Sequence, residues 1–140
     1  MVGHLSFLSA QAFEAKFGRR LQNKAEFDYH FGTEFEVESY LNYQGDKFTK
    51  RFDANSLLYV TRAIDYFDLA SLEGAKARFL VVSYTTDWLY PTEQAVQIEA
   101  AAKEAGCDVT RLEIDLPYGH DAFLLDGEHQ GHALREFLAK

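Results

Sequence analysis

The sequence has 140 residues, of which 47% are apolar and 15% aromatic; that is enough for one domain with a buried core and unlike the composition of a disordered chain. Fourteen basic residues against 22 acidic ones leave a net charge of −8. With no basic cluster to neutralise phosphates, this charge disfavours nucleic acid and anionic membrane surfaces as partners.

The single cysteine, Cys107, permits no internal disulfide, so a reducing, cytoplasmic setting is expected. No run of about 18 apolar residues suggests a membrane span. The first residues lack the basic and apolar regions of a signal peptide.

In chain order, the first signal is "SAQAFEAKFGRR". Ser9 is a candidate N-cap, Ala12, Phe13 and Phe17 recur at helical spacing, and Gly18 stands near the end. "EFEVESYLNYQGDKFTKRF" predicts a second helix, with Phe35, Val37, Tyr40, Leu41, Phe48 and Phe52 on a broad face and Gly45 as a possible break or tight junction. "DANSLLYVTRAIDYFD" predicts a third, capped by Asp53 or Asn55. Residues 1–70 are therefore expected to be a helical region, and its aromatic residues to serve helix packing rather than a ligand cage.

Residues 71–140 follow another pattern. "RFLVVSYT" is a short apolar run, as expected of a strand buried on both faces. "TEQAVQIEAAAKEAG" reads as a helix with Thr92 as N-cap and Gly106 as its stop, "DVTRLEID" as a second strand and "GHALREFLAK" as a final helix. This order implies parallel strands joined by right-handed crossovers, an α/β arrangement. Two strands are few for a sheet covered on both faces, so further strands or a second copy are expected to complete it.

In open parallel sheets, ligands sit beyond the carboxyl ends of the strands. Asp87 follows the first predicted strand and His120 the second, 33 residues apart. Adjacent parallel strands would bring them together, and a carboxylate on one imidazole nitrogen fixes the tautomer and supports a proton-accepting histidine. The acid precedes the histidine, as in α/β-hydrolases, but no serine (Ser6, Ser9, Ser39, Ser56, Ser71 or Ser83) lies in a G-x-S-x-G elbow. An Asp at a strand end also serves as a turn or cap residue, and Gly-His-Asp also makes a plain turn. The residues alone leave both readings standing. His4, His30, His129 and His132 have no comparable setting, and the His129/His132 pair lacks a partner ligand for a metal site.

Three longer stretches, "FEVESYLNYQGDKFTKRFDANSLLYVTRAIDYFDL" (35–69), "FLVVSYTTDWLYPTEQ" (79–94) and "YGHDAFLL" (118–125), together resemble the C-terminal part of the homoserine O-acetyltransferase family. The resemblance implies the C-terminal part of an α/β-hydrolase fold in 71–140, preceded by a helical lid in 1–70. It implies that Asp87 and His120 are the acid and base of a catalytic triad. It implies that Asp121 binds the amino group of L-homoserine and that the lid supplies a homodimer contact. Acetyl-CoA is the implied co-substrate, with no metal and no organic cofactor. The implied reaction is ping-pong: a serine takes the acetyl group, and the homoserine hydroxyl, deprotonated by the histidine, then receives it.

The family's G-G-S-M-G-G elbow is missing from these residues, and Met1 resembles an internal methionine at the start of the lid. The chain is thus expected to be a truncated gene product, a partial gene model or a cut piece of a longer protein, and inactive alone. Succinyl transfer is the alternative donor chemistry, although "DWLYP" resembles the acetyl-type members. Outside that activity stand an inert, self-associating fragment and an ester hydrolase on the same fold.

Overall fold

The computed structural model describes residues 1–29, 31–69 and 71–140. His30 and residue 70, the end of the expected lid region, lie outside the described residues. In chain order the elements are helices α1 (Val2–Ser6), α2 (Ala10–Lys16), α3 (Glu36–Thr49) and α4 (Ala54–Tyr66), strand β1 (Phe79–Tyr84), helix α5 (Thr92–Glu104) and strand β2 (Val109–Ile114). A 3₁₀ turn (Gly119–Asp121) then leads into α6 (Ala122–Leu125) and α7 (His129–Leu138). The chain divides into two compact units, one of residues 1–5 and 14–68, the other of residues 6–13 and 69–140.

In the first unit, α3 begins where the Glu38 carboxylate accepts the backbone N–H groups of Glu34 and Phe35 at 2.7 and 2.9 Å. Those two backbone donors hold its carboxyl below the ordinary range. The helix runs unbroken through Gly45, where an added Cβ would come within 3.2 Å of the Met1 methyl. Gly45 is thus a close-packing position and not a break. Asp53 caps α4 by accepting from the Ser56 N–H at 2.9 Å. Among the described residues of this unit, Phe17, against the Tyr40 ring at 5.0 Å, is the buried apolar one, whereas α3 and α4 bury no residue.

The second unit is the α/β part. β1 and β2 pair in parallel, with Phe79 opposite Val109 and Tyr84 opposite Ile114, and α5 makes the crossover. A parallel pair needs such a crossover because a tight turn cannot return the chain to the same end. Arg111 on β2 reaches Glu99 on α5 at 2.8 Å. Tyr84, Ile114 and Ala122 form the core, with Val82, Leu112 and Leu116 packed around it. Arg78 donates to the Phe137 carbonyl at 3.0 Å and lies over its ring, tying the end of α7 to the start of β1.

Two expectations are corrected. β1 is only half-buried along Phe79–Val82, because a two-stranded sheet leaves each strand with an unpaired edge. The cap of α5 is Pro91 and not Thr92: Thr92 already has helical backbone, and its buried hydroxyl has no hydrogen-bond partner. Proline suits a helix start, where its missing N–H costs no intrahelical bond. Gly106 ends α5 at φ +79°, the left-handed conformation that favours glycine.

Candidate active site

Asp87 lies three residues past β1 and is 9% exposed. One carboxylate oxygen, Oδ1, accepts the backbone N–H groups of Leu89 and Tyr90, both at 3.0 Å. The other, Oδ2, lies 2.8 Å from His120 Nδ1. The turn and the histidine partnership, alternatives at the level of sequence, coexist in one side chain because a carboxylate has two oxygens with separate lone pairs. The turn bonds also fix the carboxylate's orientation, so that Oδ2 is presented in one direction.

His120 sits in the 3₁₀ turn beyond β2 and its side chain is 22% exposed. With Nδ1 engaged by Asp87, Nε2 is the nitrogen left to exchange a proton. Three aromatic rings surround the imidazole: Tyr90, Phe123 and Phe7, with centroids at 5.1, 5.3 and 5.8 Å. Tyr90 and Phe123 stand near the site in sequence. Phe7 had no local signal, since 113 positions separate it from His120.

The turn carrying His120 is held by residues 7–9. Gly119 has φ +69°, and a Cβ there would run into the backbone of Leu8 and Ser9. The Asp121 N–H donates to the Phe7 carbonyl at 2.9 Å, and the Ser9 hydroxyl donates to the Pro117 carbonyl. Ser9 also caps α2 as the sequence predicts, accepting from the Ala12 N–H at 3.0 Å. Asp121 is half-buried next to His120, and its carboxylate has no hydrogen bond or ion pair among the described residues.

A second carboxylate–imidazole pair was not legible in the sequence. Asp126 Oδ1 lies 2.9 Å from His129 Nδ1 and accepts the His129 N–H, while Oδ2 accepts from the Tyr84 hydroxyl at 3.1 Å and from the Gln130 N–H. Burial works to raise the Asp126 carboxyl, but the bonds from His129 and Tyr84 outweigh it and hold it below the ordinary range. Burial, aided by the adjacent carboxylate, pushes the Tyr84 phenol far above its usual range. The position of Asp126 three residues before the start of α7 is the signal that could have revealed a cap.

The remaining candidates lie elsewhere. The Ser56 hydroxyl bonds to Asp53, and the Ser71 hydroxyl accepts from the Glu73 N–H. Half-buried Cys107 points its thiol at the Ala75 carbonyl, 3.5 Å away. His132 pairs with Glu136 at 3.2 Å on an exposed face of α7. Among the described residues there is no group of three metal-ligating side chains, and no helix is long and apolar enough to cross a membrane.

No family model matches the chain. Its full length is nonetheless similar to proteins named homoserine O-acetyltransferase. It is 51% identical to that of Methanohalobium evestigatum over 99% of this chain and 30% of the relative. It is 47% identical to that of Methanococcus vannielii over 100% of this chain and 30% of the relative. It is 48% identical to that of Rhodospirillum rubrum over 99% of this chain and 38% of the relative. The chain thus spans between 30% and 39% of the length of such curated relatives. By sequence, these 140 residues are similar throughout to one part of the proteins named homoserine O-acetyltransferase, a family of α/β-hydrolase fold.

Proposed function

We propose that this chain supplies the acid and the base of an acetyl transfer from acetyl-CoA to the hydroxyl of L-homoserine. The observation that carries the reading is the 2.8 Å approach of Asp87 Oδ2 to His120 Nδ1, which leaves Nε2 as the proton-accepting nitrogen. Asp87 fixes the tautomer and stabilises the imidazolium. His120 takes the proton of a serine hydroxyl as that oxygen attacks the thioester carbonyl, and returns it to the departing CoA thiolate. In the second half, His120 takes the proton of the homoserine hydroxyl, which attacks the acyl-serine ester, and the serine oxygen leaves with that proton.

The serine comes from outside these 140 residues, because none of the chain's own serines stands in a nucleophile elbow. The chain alone is therefore inactive. Asp121, beside His120 and with an unengaged carboxylate, binds the homoserine ammonium. No metal or organic cofactor takes part.

A chimera tests this reading. The 140 residues replace the matching third of the Methanohalobium evestigatum relative, and thiol release from acetyl-CoA is followed with and without homoserine. Homoserine-dependent release within about tenfold of the parent is expected. Release without any dependence on homoserine would indicate an ester or thioester hydrolase, and a preference for succinyl-CoA the alternative donor. Asp121→Asn in the same chimera should raise KM for homoserine more than it lowers kcat, because it removes ground-state binding.

We also infer that the helical region pairs with a second copy. All of α4 is exposed, including Leu58 at 67% and Tyr59 at 80%, which is unusual for an amphipathic helix in a stable monomer. Light scattering should give twice the chain mass, and a monomer that binds no hydrophobic dye would contradict this.

A further inference from the structure

The loops bearing Asp87 and His120 meet at one hydroxyl. Thr86, immediately before the acid, donates its Oγ1 proton to the Leu116 carbonyl, and the same oxygen accepts the Gly119 N–H at 3.0 Å. Leu116 is the second residue of the loop that leads from β2 to His120, and Gly119 immediately precedes His120. A single atom on the acid loop thus bonds the base loop at two points, the second of them directly before the imidazole. Only a hydroxyl can fill both roles with so short a side chain, since it carries one proton and two lone pairs.

The neighbouring Thr85 provides a built-in control. Its hydroxyl donates to the Asp115 carboxylate, another bond between the same two loops, but at the far end from His120. Thr85 therefore joins the loops without touching the residue that sets the imidazole's place.

We infer that Thr86 is a positioning residue, whose hydroxyl fixes the His120 turn at the height where Nδ1 meets Asp87 Oδ2. The inference rests on the reading of Asp87 and His120 as the working pair. Removing the hydroxyl leaves the Leu116 carbonyl and the Gly119 N–H without partners in a half-buried place. The turn then shifts to regain them from water, and a shift of about an ångström suffices to break a directional contact of this kind.

The test reads the tautomer of His120 in this chain from the ¹⁵N shifts of its ring nitrogens, at alkaline pH where imidazoles are neutral. Wild type should show the Nδ1–H tautomer that the Asp87 bond selects. Thr86→Val, nearly equal in shape, should lose that signature and show the mixture of free imidazole. Thr86→Ser should keep it, and so should Thr85→Val despite severing its own bond. Full retention in Thr86→Val would overturn the inference, as would equal loss in Thr85→Val, which would indicate general loosening of the loops. Should Thr86→Val fail to fold by circular dichroism, Thr86→Ser decides: retention supports the hydroxyl's role, and loss in a folded variant overturns it. Absence of the signature in wild type would instead refute the Asp87–His120 pair itself, and the positioning role with it.

Discussion

Among its described residues the second unit contains two Asp–His pairs of nearly equal length, 2.8 Å at Asp87–His120 and 2.9 Å at Asp126–His129. They differ in what surrounds them. Asp126 and His129 are three residues apart, and the carboxylate also takes two helix N–H groups and the Tyr84 hydroxyl. From two residues before the N-cap, Glu128, this carboxylate thus satisfies the start of α7, and His129 is 55% exposed. Asp87 and His120 come from separate strand ends, and the imidazole sits among three aromatic rings at 22% exposure. A short carboxylate–imidazole contact is therefore no mark of chemistry by itself. Its place at the carboxyl ends of parallel strands is what distinguishes the first pair.

Neutralising each carboxylate in turn in the chimera separates the two pairs. Asp87→Asn retains an oxygen for the Leu89 and Tyr90 N–H groups but presents an amide to Nδ1, which selects the wrong tautomer. Acetyl transfer should fall on the order of 10³–10⁴-fold. Asp126→Asn should stay within about tenfold. Similar losses in both would erase the distinction.

Gly119→Ala probes the first pair through its support. The left-handed backbone and the collision with the Leu8 and Ser9 backbone should cost about 2 kcal/mol or more in urea unfolding. An unchanged midpoint would show that the turn is free to move.

Asp126→Ala probes the second pair. It leaves the buried Tyr84 hydroxyl and the start of α7 unsatisfied, at about 1–3 kcal/mol. The pH dependence has a definite sign. A carboxyl held below its ordinary value of 3.8 in the fold contributes stability that is full above that value and is lost as pH falls through the lowered one. Wild type should therefore lose stability in acid more steeply than Asp126→Asn. Equal acid slopes would count against the cap's role.

The smallest effect is expected of His129→Ala. It removes one bond to a carboxylate that keeps its others, so the loss should be under about 1 kcal/mol by the same unfolding measurement. A larger loss would mean that the imidazole, and not the backbone N–H, holds the cap.

The longer helices and the two strands were legible because their signals are local, whereas the short α1 and α6 were not. The spacing of Ala12, Phe13 and Phe17 and the Asp53 cap gave helices, and the run from Phe79 to Tyr84 gave a strand. Element order made the meeting of Asp87 with His120 one of two standing readings, because parallel neighbours bring their carboxyl ends together. What supports that meeting was not legible. Phe7 and Ser9 reach the His120 turn from more than 100 positions away, the bond from Ser9 to Pro117 spanning 108. No composition or period encodes such a contact. The cap at Asp126 was local but hidden in "DGEHQGHALREFLAK", where Glu128 and His129 offer competing polar residues. Pro91 took the cap from Thr92 because the chain enters α5 one residue earlier than the threonine signal suggests.

The most direct measurement is homoserine-dependent acetyl transfer by the chimera carrying His120→Ala, set beside the same chimera carrying His129→Ala under identical conditions. The His120 variant should lose on the order of 10³-fold or more, and the His129 variant should stay within a few-fold of the unmutated protein. Comparable rates in the two variants would contradict the assignment of His120 as the base.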